Sequence, residues 1–118
     1  MTRKIQPRLF ERKTPAEWLK GVMMMESHQN YTWIHYKNGR KKIYARTLGL
    51  FAEALCNNFF CRVNRSHLLN LNFMDDFQEV NSTKAFIKTS SGQVLKISKR
   101  KLKDVEQKIN AFQKSSLI

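Results

Sequence analysis

Hydrophobic positions along this chain change period several times, and each change marks an element. In "KAFIKTSSGQVLKIS" the apolar residues Ala85, Ile87, Leu95 and Ile97 fall at alternate positions on either side of Ser91-Gly92, the pattern of two half-buried strands joined by a turn. "NYTWIHYKNGRKKIYAR" places Asn38-Gly39 between two runs rich in aromatic and β-branched residues, which predicts a hairpin with strands over 31–37 and 40–45. "VMMMES" and "FMDDFQEV" are further strand candidates, and "RLFER" an edge strand. From Thr47, an N-cap residue type, Leu48, Phe51, Ala52 and Leu55 recur at helical spacing, predicting a helix that ends near Asn57-Asn58. After Ser98 the period is helical again: Leu102, Val105, Ile109 and Phe112 form one stripe, with Lys and Gln on the other face. A short helix starting at Thr14-Pro15 has proline and Glu17 in its first turn, as helix N-termini prefer. No internal repeat, low-complexity tract or linker interrupts the order.

Composition narrows what these elements can be for. A chain of 118 residues supports one compact core, and 42% hydrophobic residues is ample to build it. No apolar run reaches the roughly 20 residues that span a bilayer, and "MTRKIQPRLF" lacks a signal-peptide core, so a cytoplasmic location is expected. Two cysteines, Cys56 and Cys61, make neither a CxxC motif nor a zinc set, and are read as reduced structural residues.

Charge then supplies the partner class. The chain carries 22 Lys and Arg against 9 Asp and Glu, a formal +13, more than solubility asks for. Acid-free clusters lie in "YKNGRKKIYAR" (Lys37, Arg40, Lys41, Lys42, Arg46) and "KISKRKLK" (Lys96, Lys99, Arg100, Lys101, Lys103). Two such clusters favour a polyanion-binding surface over a merely solvated face. A lipid surface is disfavoured because the C-terminal helix has an apolar stripe of ordinary core width. An RNA-binding or ribosome-associated protein is the alternative reading, since Tyr31, Trp33, His35, Tyr36 and Tyr44 could form a stacking platform, although strand aromatics are more often core. Catalysis is not expected. His28, His35 and His67 have no partner nucleophile or carboxylate at a recognised spacing, no glycine-rich phosphate loop is present, and Asp75-Asp76 point to opposite sides of a strand. No cofactor and no metal are implied.

One stretch carries more specific information. "FFCRVNRSHLLNLNFMDDF" resembles the signature of the LytTR DNA-binding domain, in which Phe, any residue, then Arg-Val-His-Arg-Ser precede an aromatic, aliphatic residues and Asn. "MMMESHQNYTWIHYKNG", "ARTLGLFAEAL" and "SSGQVLKISKRKLKDVEQKI" resemble, in order, the family's strand-loop-strand, its short helix, and its closing hairpin with C-terminal helix. The resemblance covers roughly residues 20 to 110, with 1–19 read as an N-terminal extension and 20–118 as the domain. Two positions depart from the signature: Asn64 stands where the family usually has His, and His67 where it usually has Tyr or Phe.

The resemblance implies a mainly β (α+β) fold of elongated antiparallel sheets with a short central helix and a C-terminal helix. It further implies a bacterial, sequence-specific transcriptional regulator, of the kind found as response-regulator output domains, that reads the major groove of double-stranded DNA through inter-strand loops. Only about twenty residues precede the domain, so the chain is read as either a stand-alone regulator or an excised domain, and the initiator Met favours the first. Carried over by position, the loops are Ser27 to Tyr31 with His28 or Asn30 at the tip, Asn64-Arg65-Ser66, and Ser98 to Lys101 around Arg100. Arg65, Arg100 and Asn30 are of the types that pair with base edges, whereas Lys99, Lys101, Lys41 and Arg62 suit phosphates. Asn70 is assigned to structure, closing a tight turn. Since three short loops specify few base pairs and like-charged monomers repel, a monomer or weak dimer in solution with paired copies on DNA is expected.

Overall fold

The computed structural model describes residues 19–55 and 59–116. The expected edge strand at "RLFER", the helix start at Thr14-Pro15 and the residue Cys56 lie outside that range.

Among the described residues, eight strands and two α-helices follow one another as β1 (Val22–His28), β2 (Tyr31–Tyr36), β3 (Lys41–Tyr44), α1 (Leu48–Ala54), β4 (Phe60–Asn64), β5 (His67–Asn70), β6 (Met74–Asn81), β7 (Lys84–Thr89), β8 (Val94–Ile97) and α2 (Leu102–Ser116). Single 3-10 turns at Leu71–Phe73 and Lys99–Lys101 lead into β6 and α2. The strands form a five-stranded sheet in the order β3-β2-β1-β5-β4 and a three-stranded sheet in the order β6-β7-β8, with every pairing antiparallel. The molecule measures 49 × 34 × 27 Å, so the expected fold class holds, elongation included.

Both predicted hairpins form where the turn residues place them. Gly39 and Gly92 take φ of 88° and 91°, a region that L side chains rarely adopt. The predicted helices form as well, with one shift. The helix from Thr47 ends at Ala54, short of Asn57-Asn58; Leu55 still donates to the Phe51 carbonyl at 2.9 Å, but its φ and ψ (−109°, 14°) have left the helix. Leu48, Phe51 and Leu55 are the buried residues of this stripe. Thr47 sits at the N-cap, although its side chain makes no capping bond.

The larger sheet is buried on both faces at its centre, which explains the unbroken apolar runs in the sequence. Val22 and Met25 face one core, with Ile34, Phe60, Leu68 and the α1 residues Leu48, Phe51 and Leu55. Met23 and Met24 join the other, with Cys61, Val63, Leu69, the inner face of the small sheet (Ala85, Ile87, Leu95, Ile97) and the α2 residues Leu102, Val105 and Ile109. A bulge between Val22 and Met24 accompanies this departure of consecutive methionines from simple alternation. Asn70 has the structural role expected of it. It is buried, its Nδ2 donates to the Val22 carbonyl at 2.9 Å, and its Oδ1 accepts from the Asn72 backbone at 3.0 Å.

The two sheets meet where β4 passes β8. Ser98 donates its backbone N–H to the Val63 carbonyl at 3.0 Å, and the Asn64 side chain donates to the Lys96 carbonyl at 2.7 Å.

Candidate nucleic-acid interface

Strand register decides which loops share an end of the molecule. His28 pairs with Tyr31, Glu26 with His67, and Asn64 with His67, so the β1–β2 and β4–β5 turns lie at the same end of the large sheet. Ser27 N–H donates to the Ser66 carbonyl at 2.9 Å and ties the first turn to the second. The Ser98–Val63 bond ties the second to the segment Ser98–Lys101. All three expected loops are therefore contiguous.

Between the second and third loops lies an open concavity of about 1080 Å³. Arg65, Lys84, Lys96, Lys99, Arg100 and Lys101 line it, against one carboxylate, that of Asp104. Lys96 belongs to the second basic cluster of the sequence without being assigned a contact there, whereas Thr83 and Lys84 carry no sequence signal for this site. The β6–β7 turn brings Thr83 and Lys84 in. Asn81 Oδ1 accepts from Thr83 N–H at 2.9 Å and from its hydroxyl at 3.0 Å, an Asx turn that "NST" could have signalled.

The remaining candidates fall in three places. His28 and Asn30 are exposed at the first turn, where Gln29 holds φ 56° without being glycine. Ser66 is half-buried, with its N–H accepted by Asn64 Oδ1 at 2.8 Å. Arg62 spends donors on its own turn, Nη2 to the Arg65 carbonyl at 2.8 Å and Nε to that of Asn64 at 3.4 Å. Lys41 stands apart. It pairs with His35 while Tyr44 pairs with Thr32, which sets Lys41 at the end of the sheet away from the β1–β2 and β4–β5 turns, its ammonium 4.7 Å from the centre of the Trp33 ring. Arg46, from the same basic cluster, lies at the loop end, where its carbonyl accepts from the Thr32 hydroxyl at 2.7 Å.

The aromatics do not make one platform. Tyr36 and Tyr44 pack against the core beneath α1, Lys41 lies over Trp33, and His35 is bonded to Glu26; Tyr31 is 44% exposed.

Glu26 lies between the two strand histidines. Its Oε1 lies 3.1 Å from His35 Nε2 and its Oε2 3.5 Å from His67 Nε2. Burial pushes the His67 pKa down, an effect the Glu26 carboxylate only partly opposes. Cys61, also buried, has its thiol pushed up to about 11.

A sequence model of the LytTr DNA-binding domain matches residues 14–110. The chain belongs to the LytTR DNA-binding domain family. Its fold is similar to the solved LytTr DNA-binding domain of a methyl-accepting/DNA response regulator from Bacillus cereus, with 16% sequence identity over 77% of this chain and 83% of that one and a TM-score of 0.69. A search of the curated proteins returns no match. No described helix is long and apolar enough to cross a membrane. Within this LytTR domain, the two departures from the signature touch each other: Asn64 Oδ1 and His67 Nδ1 are 3.1 Å apart.

Proposed function

We propose that this LytTR domain serves a bacterial, sequence-specific transcriptional regulator, and that its inter-strand loops enter the major groove of duplex DNA. The observation that carries the reading is the basic concavity shared by the second and third loops, where exposed Arg65 and Arg100 stand among lysines at the end of the sheet. An arginine there can donate two parallel hydrogen bonds to guanine O6 and N7, and Asn30 is of the type that pairs with adenine. Lys99 and Lys101, with Lys84 and Lys96, suit phosphates, which fix register without reading sequence. Arg62 acts chiefly by shaping the turn, given where its donors go.

The free protein is a monomer or at most a weak dimer, and two copies occupy adjacent half-sites about one helical turn apart. Random-site selection followed by titration against duplex DNA and structured RNA at physiological salt tests the reading. A preferred duplex bound more tightly than any RNA is expected; stronger binding to RNA would overturn it. Sedimentation without DNA, and shift assays on one and two half-sites, test stoichiometry. A tight free dimer, or equal affinity for both duplexes, would overturn paired occupancy.

A further inference from the structure

The Asn64–His67 contact has a fixed direction. Asn64 Oδ1 accepts from Ser66 N–H at 2.8 Å, and Asn64 Nδ2 donates to the Lys96 carbonyl at 2.7 Å, so the amide cannot turn over without losing both bonds. The atom facing His67 Nδ1 at 3.1 Å is therefore an acceptor, and Nδ1 must carry the hydrogen. A neutral imidazole so arranged has a bare Nε2. That atom is buried and makes no hydrogen bond, although the Glu26 carboxylate lies 3.5 Å away. A proton on Nε2 would convert this mismatch into an ion pair while leaving the Nδ1 bond to Asn64 in place.

The surroundings set when that proton is welcome. Glu26 from β1 and His35 from β2 face the ring from the sheet, and Arg62 and Arg65 flank it on its own turn. Across the concavity stand Lys84 from β7, Lys96 from β8, the basic Lys99–Lys101 turn and Asp104 from α2. In the free protein burial of the ring is the main influence against the proton; Glu26 opposes it and His35 adds to it. Phosphates placed in the concavity would bring negative charge beside the ring and favour the protonated form.

We infer that His67 is a positioning residue for the Asn64–Ser66 turn, and that DNA binding by this turn is coupled to uptake of a proton on His67 Nε2, held by Glu26. The coupling rests on the reading of that turn as a DNA contact; the positioning role does not. By linkage, a group that holds its proton more tightly in the complex gives the weakest binding above its pKa in the complex. Affinity then rises as pH falls and levels off below its pKa in the free protein.

The test measures duplex affinity from pH 8 to pH 6 at fixed ionic strength, in a His28→Ala background so that the exposed histidine of the first turn does not contribute. With His67 present, affinity should rise as pH falls, about tenfold for each unit by which DNA raises its pKa. His67→Asn keeps a donor for Asn64 but cannot take the proton; it should retain discrimination between specific and random duplex and lose the pH dependence. His67→Phe should lose both. An unchanged pH slope in either variant would overturn the coupling. In the free protein, the Ser66 amide, held by Asn64 Oδ1, should exchange its hydrogen faster in His67→Phe than in His67→Asn, and equal exchange in the two variants would overturn the positioning role. Failure to bind any duplex at any pH would overturn the DNA reading and the coupling with it, leaving the Ser66 result to decide the positioning role by itself.

Discussion

Val63 and Ser98 are 35 positions apart in sequence, yet the Ser98 N–H lies 3.0 Å from the Val63 carbonyl and fastens the end of β8 beside the end of β4. Through this bond the Arg65 turn and the Arg100 turn face one concavity. Each arginine should therefore be a separate reader on a shared frame.

Arg65→Ala and Arg100→Ala are each expected to lose about 1 to 3 kcal/mol of binding to the preferred site, with the melting temperature nearly unchanged. Competition between specific and random duplex measures it. A variant that keeps wild-type discrimination removes its arginine from the list of base readers.

The β6–β7 turn brings Lys84 to the concavity from outside both basic clusters of the sequence. As a phosphate contact, Lys84→Ala should weaken binding to all duplexes alike and reduce the slope of log affinity against log salt by about one. An unaltered slope would place Lys84 outside the interface.

The backbone of Gln29, at φ 56°, lies where a side chain crowds its own carbonyl. Gln29→Gly should stabilise the fold by about 0.5 to 1 kcal/mol, the relief of strain exceeding the added chain entropy. Denaturant unfolding reads this directly, and a loss of stability would show that the Gln29 side chain makes a compensating contact.

Leu102 and Ile109 are each 4% exposed and anchor α2 to the core between the sheets. Either substitution to Ala should cost about 2 to 5 kcal/mol. An unchanged melting temperature would mean that α2 contributes nothing to that core.

With its thiol pushed up to about 11 by burial, Cys61 should be almost wholly protonated at neutral pH. In a Cys56→Ser background, a thiol reagent should label the native protein no faster than it unfolds. Rapid labelling at pH 7 would show that the Cys61 site is open.

How far the sequence revealed this arrangement depends on the range of the interaction concerned. Asn38-Gly39, Ser91-Gly92 and the stripe of α2 report on neighbours a few residues away, and their elements stand where expected. Lys41 and Arg46 belong to one run of positive charge, but strand register sends them to opposite ends of the β2–β3 hairpin, which no count of charges reveals. Lys84 and Lys96 join the site through turns and a sheet contact set by distant partners, Asn64 among them. Arg62, a good phosphate ligand by type, is held by carbonyls two and three residues away.

The burial of the large sheet on both faces has an evolutionary side. Met24, Met25, Leu68 and Leu69 are locked in by neighbours above and below, while Asn30, Arg65 and Arg100 at or beyond the ends of those layers are exposed. Substitutions at the tips can therefore change the chemistry presented at this end of the molecule while leaving the buried scaffold untouched. Asn64 and His67 are the exception, since a replacement for His67 must still offer Asn64 Oδ1 a donor to keep their mutual bond.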